Sequence, residues 1–185
     1  MKHVVWKAYW DFEKEEKWLN EMSAKGMALT DCSWCRYVFT EAPSNEYIYR
    51  LELLEHLPSH AESIAYINFL EESGIECVAT YWRWIYLRKK SSEGPFNIYS
   101  DFESKIKHYK RVSAFLGPIG GLNLIVFLIN IINGIVVSSK YNNNYLSYIS
   151  PLVLLNGILG VCITWLVMGY IRKAKRLKKE KQLHE

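Results

Sequence analysis

The sequence predicts an α+β protein in two parts, a soluble domain of order β-α-β-β-α-β followed by a two-helix transmembrane hairpin. Two observations carry this. Residues 112–137 and 148–171 contain no Asp, Glu, Lys, Arg or His, and about 20 predominantly apolar residues at a 1.5 Å rise span the hydrocarbon of a bilayer. Ahead of them, residues 1–90 alternate aromatic and β-branched runs with two capped helical segments.

Residues 3–10 (HVVWKAYW) read as the first strand. Asp11 suits a helix N-cap, and Glu13, Glu15 and Glu16 follow where the helix dipole favours acids. Phe12, Trp18, Leu19 and Met22 form an apolar stripe and Lys25-Gly26 a stop, so the first helix covers 11–25. Residues 27–40 and 45–55 flank Ala42-Pro43-Ser44-Asn45 and read as an antiparallel hairpin. Ser59-His60-Ala61-Glu62 matches a capping box ahead of Ile64, Ala65, Ile67, Phe69 and Leu70, and Gly74 ends that helix. Residues 75–90 are expected as one long strand. This order is the ferredoxin-like split βαβ arrangement, with both helices on one face of a single four-stranded sheet. No internal repeat is evident. The remaining divisions are a linker and juxtamembrane helix at 91–111, a loop at 138–147 and a basic tail at 172–185.

The net charge of +4 and pI near 8.8 average two unlike parts. Residues 1–104 hold 11 Lys+Arg against 17 Asp+Glu, a net of −6, and residues 105–185 hold 12 against 2, a net of +10. An acidic domain repels phosphate backbones, so direct nucleic-acid binding is not expected. The basic residues sit just before the first span (Lys105, Lys107, Lys110, Arg111) and just after the second (Arg172 to Lys181), while the connecting loop carries only Lys140. The positive-inside rule then places both termini in the cytoplasm of a multi-pass protein of the cell membrane, and the basic tail against anionic lipid. No secretory signal is recognised at the N-terminus.

Known catalytic signatures are missing: there is no P-loop, GxGxxG, HExxH or GxSxG. Glu13, Glu15, Glu16 and Glu21 read as a solvated helix face. Cys32 and Cys35 have CxxC spacing, but strand neighbours three apart point to opposite faces, and no second pair completes a zinc site. His56 and His60 straddle Pro58 in a loop without a wider ligand set. No enzyme activity, metal or cofactor is expected. Instead, Trp6, Trp10, Tyr47, Tyr49, Trp82 and Trp84, flanked by Arg50 and Arg83, form a candidate aromatic platform for a ligand or partner. In the hairpin, Asn123, Asn130 and Asn133 lie along one helical stripe near Gly117 and Gly121, and Asn156 could answer from the second span.

One pattern is recognisable. Tyr9, the run from Phe12 to Glu16, Trp18-Leu19-Asn20, and Lys25-Gly26-Met27 with Leu29, followed by aromatic strands and a C-terminal hairpin, resemble the bacterial family of the domain of unknown function 2812 (DUF2812). The segment WLNxMxxKG at 18–26 is its most specific element; many members carry Trp where this chain has Met27. The resemblance implies a signalling role, because members often neighbour PadR-type transcription regulators, and it implies no catalytic residue. A membrane-anchored regulatory module with a protein or ligand partner is therefore the expected function. The alternative is an accessory subunit, or homo-oligomer, of a transporter or envelope complex assembled through the hairpin.

Overall fold

A computed structural model of the chain describes residues 1–99, 101–141 and 150–184. Most of the loop expected at 138–147, and the first residues of the second span, lie outside them. The chain divides into two compact units, Met1–Ser100 and Asp101–Glu185.

The first unit runs β1 (Lys2–Trp6), α1 (Phe12–Ala24), β2 (Met27–Ser33), β3 (Arg36–Glu41), β4 (Tyr47–Leu53), α2 (Ala61–Glu72), β5 (Glu76–Tyr81) and β6 (Trp84–Lys90). Both helices form where expected, with Asp11 capping Glu13 N–H at 3.1 Å and His60, rather than Ser59, capping α2. The single four-stranded sheet does not form. Residues 27–40 and 75–90 each fold back on themselves, giving two antiparallel three-stranded sheets of order β1-β3-β2 and β4-β6-β5. The reversals are two-residue loops at Trp34-Cys35 and Trp82-Arg83, whose tryptophans have φ of 47° and 56°. Glycine or asparagine normally takes this left-handed conformation, and a tryptophan there leaves no turn signal.

The eight elements are one βαββ unit repeated, which overturns the expectation of no repeat. Gly26 and Gly74, both at positive φ after a helix, lie 48 positions apart, as do Trp34 and Trp82. The bulges agree: the register shifts between Leu29 and Asp31 in β2 and between Cys77 and Ala79 in β5. Even the loop closures match, with Lys7 N–H donating to Cys35 C=O and Leu54 N–H to Arg83 C=O, both at 2.8 Å. Helix α2 covers one face of the second sheet, where Leu70 packs with Leu54, Ile85, Leu87 and Phe96. Helix α1 covers the equivalent face of the first: Leu19 is fully buried and Trp18 meets Tyr37 and Phe39 edge-on at 4.9 and 5.7 Å.

The second unit is two long helices, α3 (Phe102–Tyr141) and α4 (Pro151–His184). Both are long and apolar enough to cross a membrane, and only 11 % and 28 % of their most apolar windows are buried, unlike core helices of a soluble protein. They meet through Val153, Gly157, Gly160, Ile163, Val167, Tyr170 and Ala174 of α4, a spacing of three and four that keeps one stripe toward the partner helix.

Candidate partner-docking site

The WLNxMxxKG segment is the joint of the first unit. Asn20 Nδ2 donates to Tyr49 C=O at 3.1 Å while its Oδ1 accepts from Tyr49 N–H at 2.9 Å. One turn to either side, Glu16 Oε2 accepts from Leu51 N–H at 3.1 Å, and Ser23 Oγ donates to Tyr47 C=O at 2.6 Å. Three side chains at i, i+4 and i+7 thereby close the outer edge of β4. Gly26 is required for two reasons: its φ is 76°, and a Cβ there would lie 2.9 Å from the Ala42 carbonyl oxygen.

Behind this joint, Glu15 is buried and its Oε1 accepts O–H bonds from Tyr37 at 2.6 Å and Tyr86 at 2.7 Å. Burial pushes the Glu15 carboxyl above its ordinary range, against the pull of the two hydroxyls. Burial likewise raises the Cys32 thiol to about 12, which keeps it protonated, and Cys35 lies half-buried in the loop. His56, His60 and Glu62 bring one ligand atom each within 4.8 Å of one another, all exposed. The imidazoles are stacked at 4.2 Å, His60 Nδ1 is occupied in capping, accepting from Glu62 N–H, and His56 Nε2 lies 3.3 Å from Glu62 Oε2.

The eight platform residues divide. Tyr49 is buried and its hydroxyl accepts from Leu29 N–H at 2.8 Å. Arg50, its strand neighbour, points to the opposite face, paired with Glu16 at 3.3 Å. The Tyr47 ring lies 4.2 Å from the Arg88 guanidinium. The other five collect at one end of the unit. Strands β2 and β5 run side by side in one direction: Arg88, opposite Glu76 near the start of β5, donates to Leu29 C=O at 3.1 Å, and Tyr86, opposite Ala79, lies beside Cys32. Both hairpin loops therefore finish at the same end, with Trp34 and Trp82 73 % and 67 % exposed. Trp6, opposite Arg36, and Trp10 join them at 71 % and 63 %. Trp84 anchors the group, 5.6 Å from Phe12, and Arg83 Nε donates to Leu54 C=O at 2.8 Å. Trp34 is the member that sequence reasoning missed; it sits inside the cysteine pair, which drew attention to its neighbours.

In the hairpin, a Cβ at Gly117 or Gly121 would meet nothing within 4 Å, whereas one at Gly160 would meet Leu124 at 2.8 Å and one at Gly120 would meet Ile163 at 3.0 Å. Asn123 and Asn130 donate to the carbonyls of Ile119 and Val126 in their own helix, Asn130 and Asn133 are exposed, and Asn156 is half-buried.

The class so defined is an α+β unit of two βαββ repeats joined to two candidate membrane-spanning helices. A family model described as a protein of unknown function (DUF2812) matches residues 11–119, and the chain belongs to that family. No curated protein and no solved structure matches it significantly.

Proposed function

We propose that this chain is a membrane-anchored regulatory module without catalytic activity, facing the cytoplasm, whose first unit docks a protein partner. The observation that carries this reading is an exposed tryptophan end beside an open strand edge. Tryptophan dominates binding hot spots because it buries a large area at low entropic cost, and four exposed at one end exceed what a solvated surface needs. The edge of β4 is closed by α1, but β1, its counterpart in the first repeat, is a sheet edge with Val4 and Trp6 exposed. Since Lys7 N–H points to β3, alternation turns the N–H groups of Lys2, Val4 and Trp6 outward, where a partner can extend the sheet. A soluble regulator of the PadR type is the partner the family resemblance suggests.

Affinity capture of the full chain from native membranes tests this. Val4→Pro removes an outward N–H without touching the ladder, and Trp34→Ser with Trp82→Ser strips the loops. Both variants are expected to lose a protein that the wild type retains. Capture of no partner, or equal capture by all three chains, overturns the reading.

A second reading has its own observation. Asn130 and Asn133 are exposed on α3, where amide side chains favour contact with another helix over hydrocarbon. An accessory subunit or homo-oligomer assembled through the hairpin would lose its complex on Asn130→Leu with Asn133→Leu, and the docking module would not.

A further inference from the structure

Helices α3 and α4 enclose a groove of about 300 Å³ lined by Ile106, Lys110 and Ser113 on one side and Ile171, Ala174, Lys175 and Lys178 on the other. On each helix these residues lie along one stripe, at i, i+4 and i+7 on α3 and i, i+3, i+4 and i+7 on α4. The groove is therefore about 10 Å long. Its depth in a bilayer follows from the sequence. Ser113 and Ile171 belong to the uncharged stretches, and Lys110 and Lys175 stand just beyond their ends, marked by Arg111 and Arg172. The groove thus straddles the boundary between hydrocarbon and headgroups, a layer roughly 5–7 Å thick in each leaflet.

The charges around it are unequal. Lys107 and Lys181 both pair with Glu103, at 3.4 and 3.5 Å, and Arg176 pairs with Glu180 at 3.1 Å. Lys110, Lys175 and Lys178 make no ion pair among the described residues, although the same acids stand on the same two helices. Ser113 Oγ donates to Tyr109 C=O at 2.8 Å, which leaves the lysines as the donors at the groove. The floor beneath them is apolar: Ile106, Ile171 and the buried Ala174.

We infer that this groove binds one anionic phospholipid, with the headgroup phosphate among Lys110, Lys175 and Lys178 and the glycerol and first acyl carbons on Ile171 and Ala174. Three ammoniums without local counter-charge demand an anion, and an apolar floor continuous with the hydrocarbon level selects one that carries acyl chains. A soluble phosphate would satisfy the lysines and leave the floor wet.

Native mass spectrometry of the full chain, released from mixed micelles of phosphatidylglycerol and phosphatidylcholine, tests this. The wild type is expected to retain one phosphatidylglycerol at energies that strip phosphatidylcholine. Lys110→Gln, Lys175→Gln and Lys178→Gln together are expected to weaken that retention on the order of a hundredfold, at about one kilocalorie per lysine near the surface. Lys105→Gln, Lys107→Gln and Lys179→Gln remove the same charge away from the groove and are expected to change it less than about threefold. Equal losses in both triple variants, no preference over phosphatidylcholine, or millimolar inorganic phosphate occupying the wild type in place of lipid would each overturn the assignment.

Discussion

Asn20 holds both backbone groups of Tyr49, accepting its N–H at 2.9 Å and donating to its C=O at 3.1 Å. A side-chain amide thus takes the place of a neighbouring strand and turns a sheet edge into a helix contact. Asn20→Ala leaves the Tyr49 N–H without a partner, and its C=O with only the Arg50 guanidinium at 2.9 Å, and is expected to cost about 1–3 kcal/mol, lowering the melting temperature of the detergent-solubilised chain by several degrees. Asn68, the exposed repeat equivalent on α2, is the control: Asn68→Ala should stay within about 0.5 kcal/mol of wild type. Equal effects at the two positions would show that the edge closure contributes nothing.

Glu15 provides a pH signature. Its folded-state pKa is raised, first by burial, so the native state holds the proton more tightly than the unfolded chain does. The linked stability is fully present below the unfolded pKa and is lost as pH rises through the folded value. Glu15→Gln stays neutral throughout. Its melting temperature relative to wild type is expected to move in the variant's favour as pH rises from about 4 toward neutrality. A gap that stays constant with pH would mean that Glu15 does not titrate between the two states.

Much of this fold was legible because its signals are local. Asp11, the acidic first turn and Lys25-Gly26 bracket α1 closely, and the uncharged stretches mark both long helices. What escaped was the pair of reversals. Trp34 and Trp82 hold positive φ without being Gly or Asn, so two hairpins read as two long strands, and the βαββ repeat behind them disappeared from view. The two repeats share backbone geometry at Gly26 and Gly74 but little side-chain chemistry: the buried Tyr37 and Phe39 of one correspond to Ile85 and Leu87 of the other. The candidate site was half legible. Aromatic content pointed to Trp6, Trp10, Trp82 and Trp84, whereas Tyr49 and Arg50 are adjacent on one strand, and alternation alone does not say which of them faces inward.

The helix contact in the second unit separates glycines that look alike in sequence. A Cβ at Gly160 would lie 2.8 Å from Leu124 Cδ2 and 3.0 Å from the Leu124 backbone nitrogen, so a larger residue must push α3 away. At Gly117 the same Cβ meets nothing within 4 Å. Gly160→Leu is therefore expected to lower the thermal stability of α3–α4 packing, at a cost of about 1–3 kcal/mol from overpacking, while Gly117→Leu leaves it near wild type. Circular dichroism melts in detergent read the difference; equal melts would relocate the interface.

Trp34 tests whether the aromatic end is kept for folding or for binding. At φ 47° a non-glycine residue in the left-handed region costs about 1–2 kcal/mol, and an indole 73 % exposed to solvent regains little of that by packing. If stability alone governed this position, glycine would serve better. Trp34→Gly is accordingly expected to hold or raise the melting temperature, by up to a few degrees, while lowering the yield of captured partner. The dissociation of the two readouts is what identifies a binding residue. A variant that melts well below wild type would assign Trp34 to the fold instead, and one that melts normally and captures its partner undiminished would remove it from the docking site.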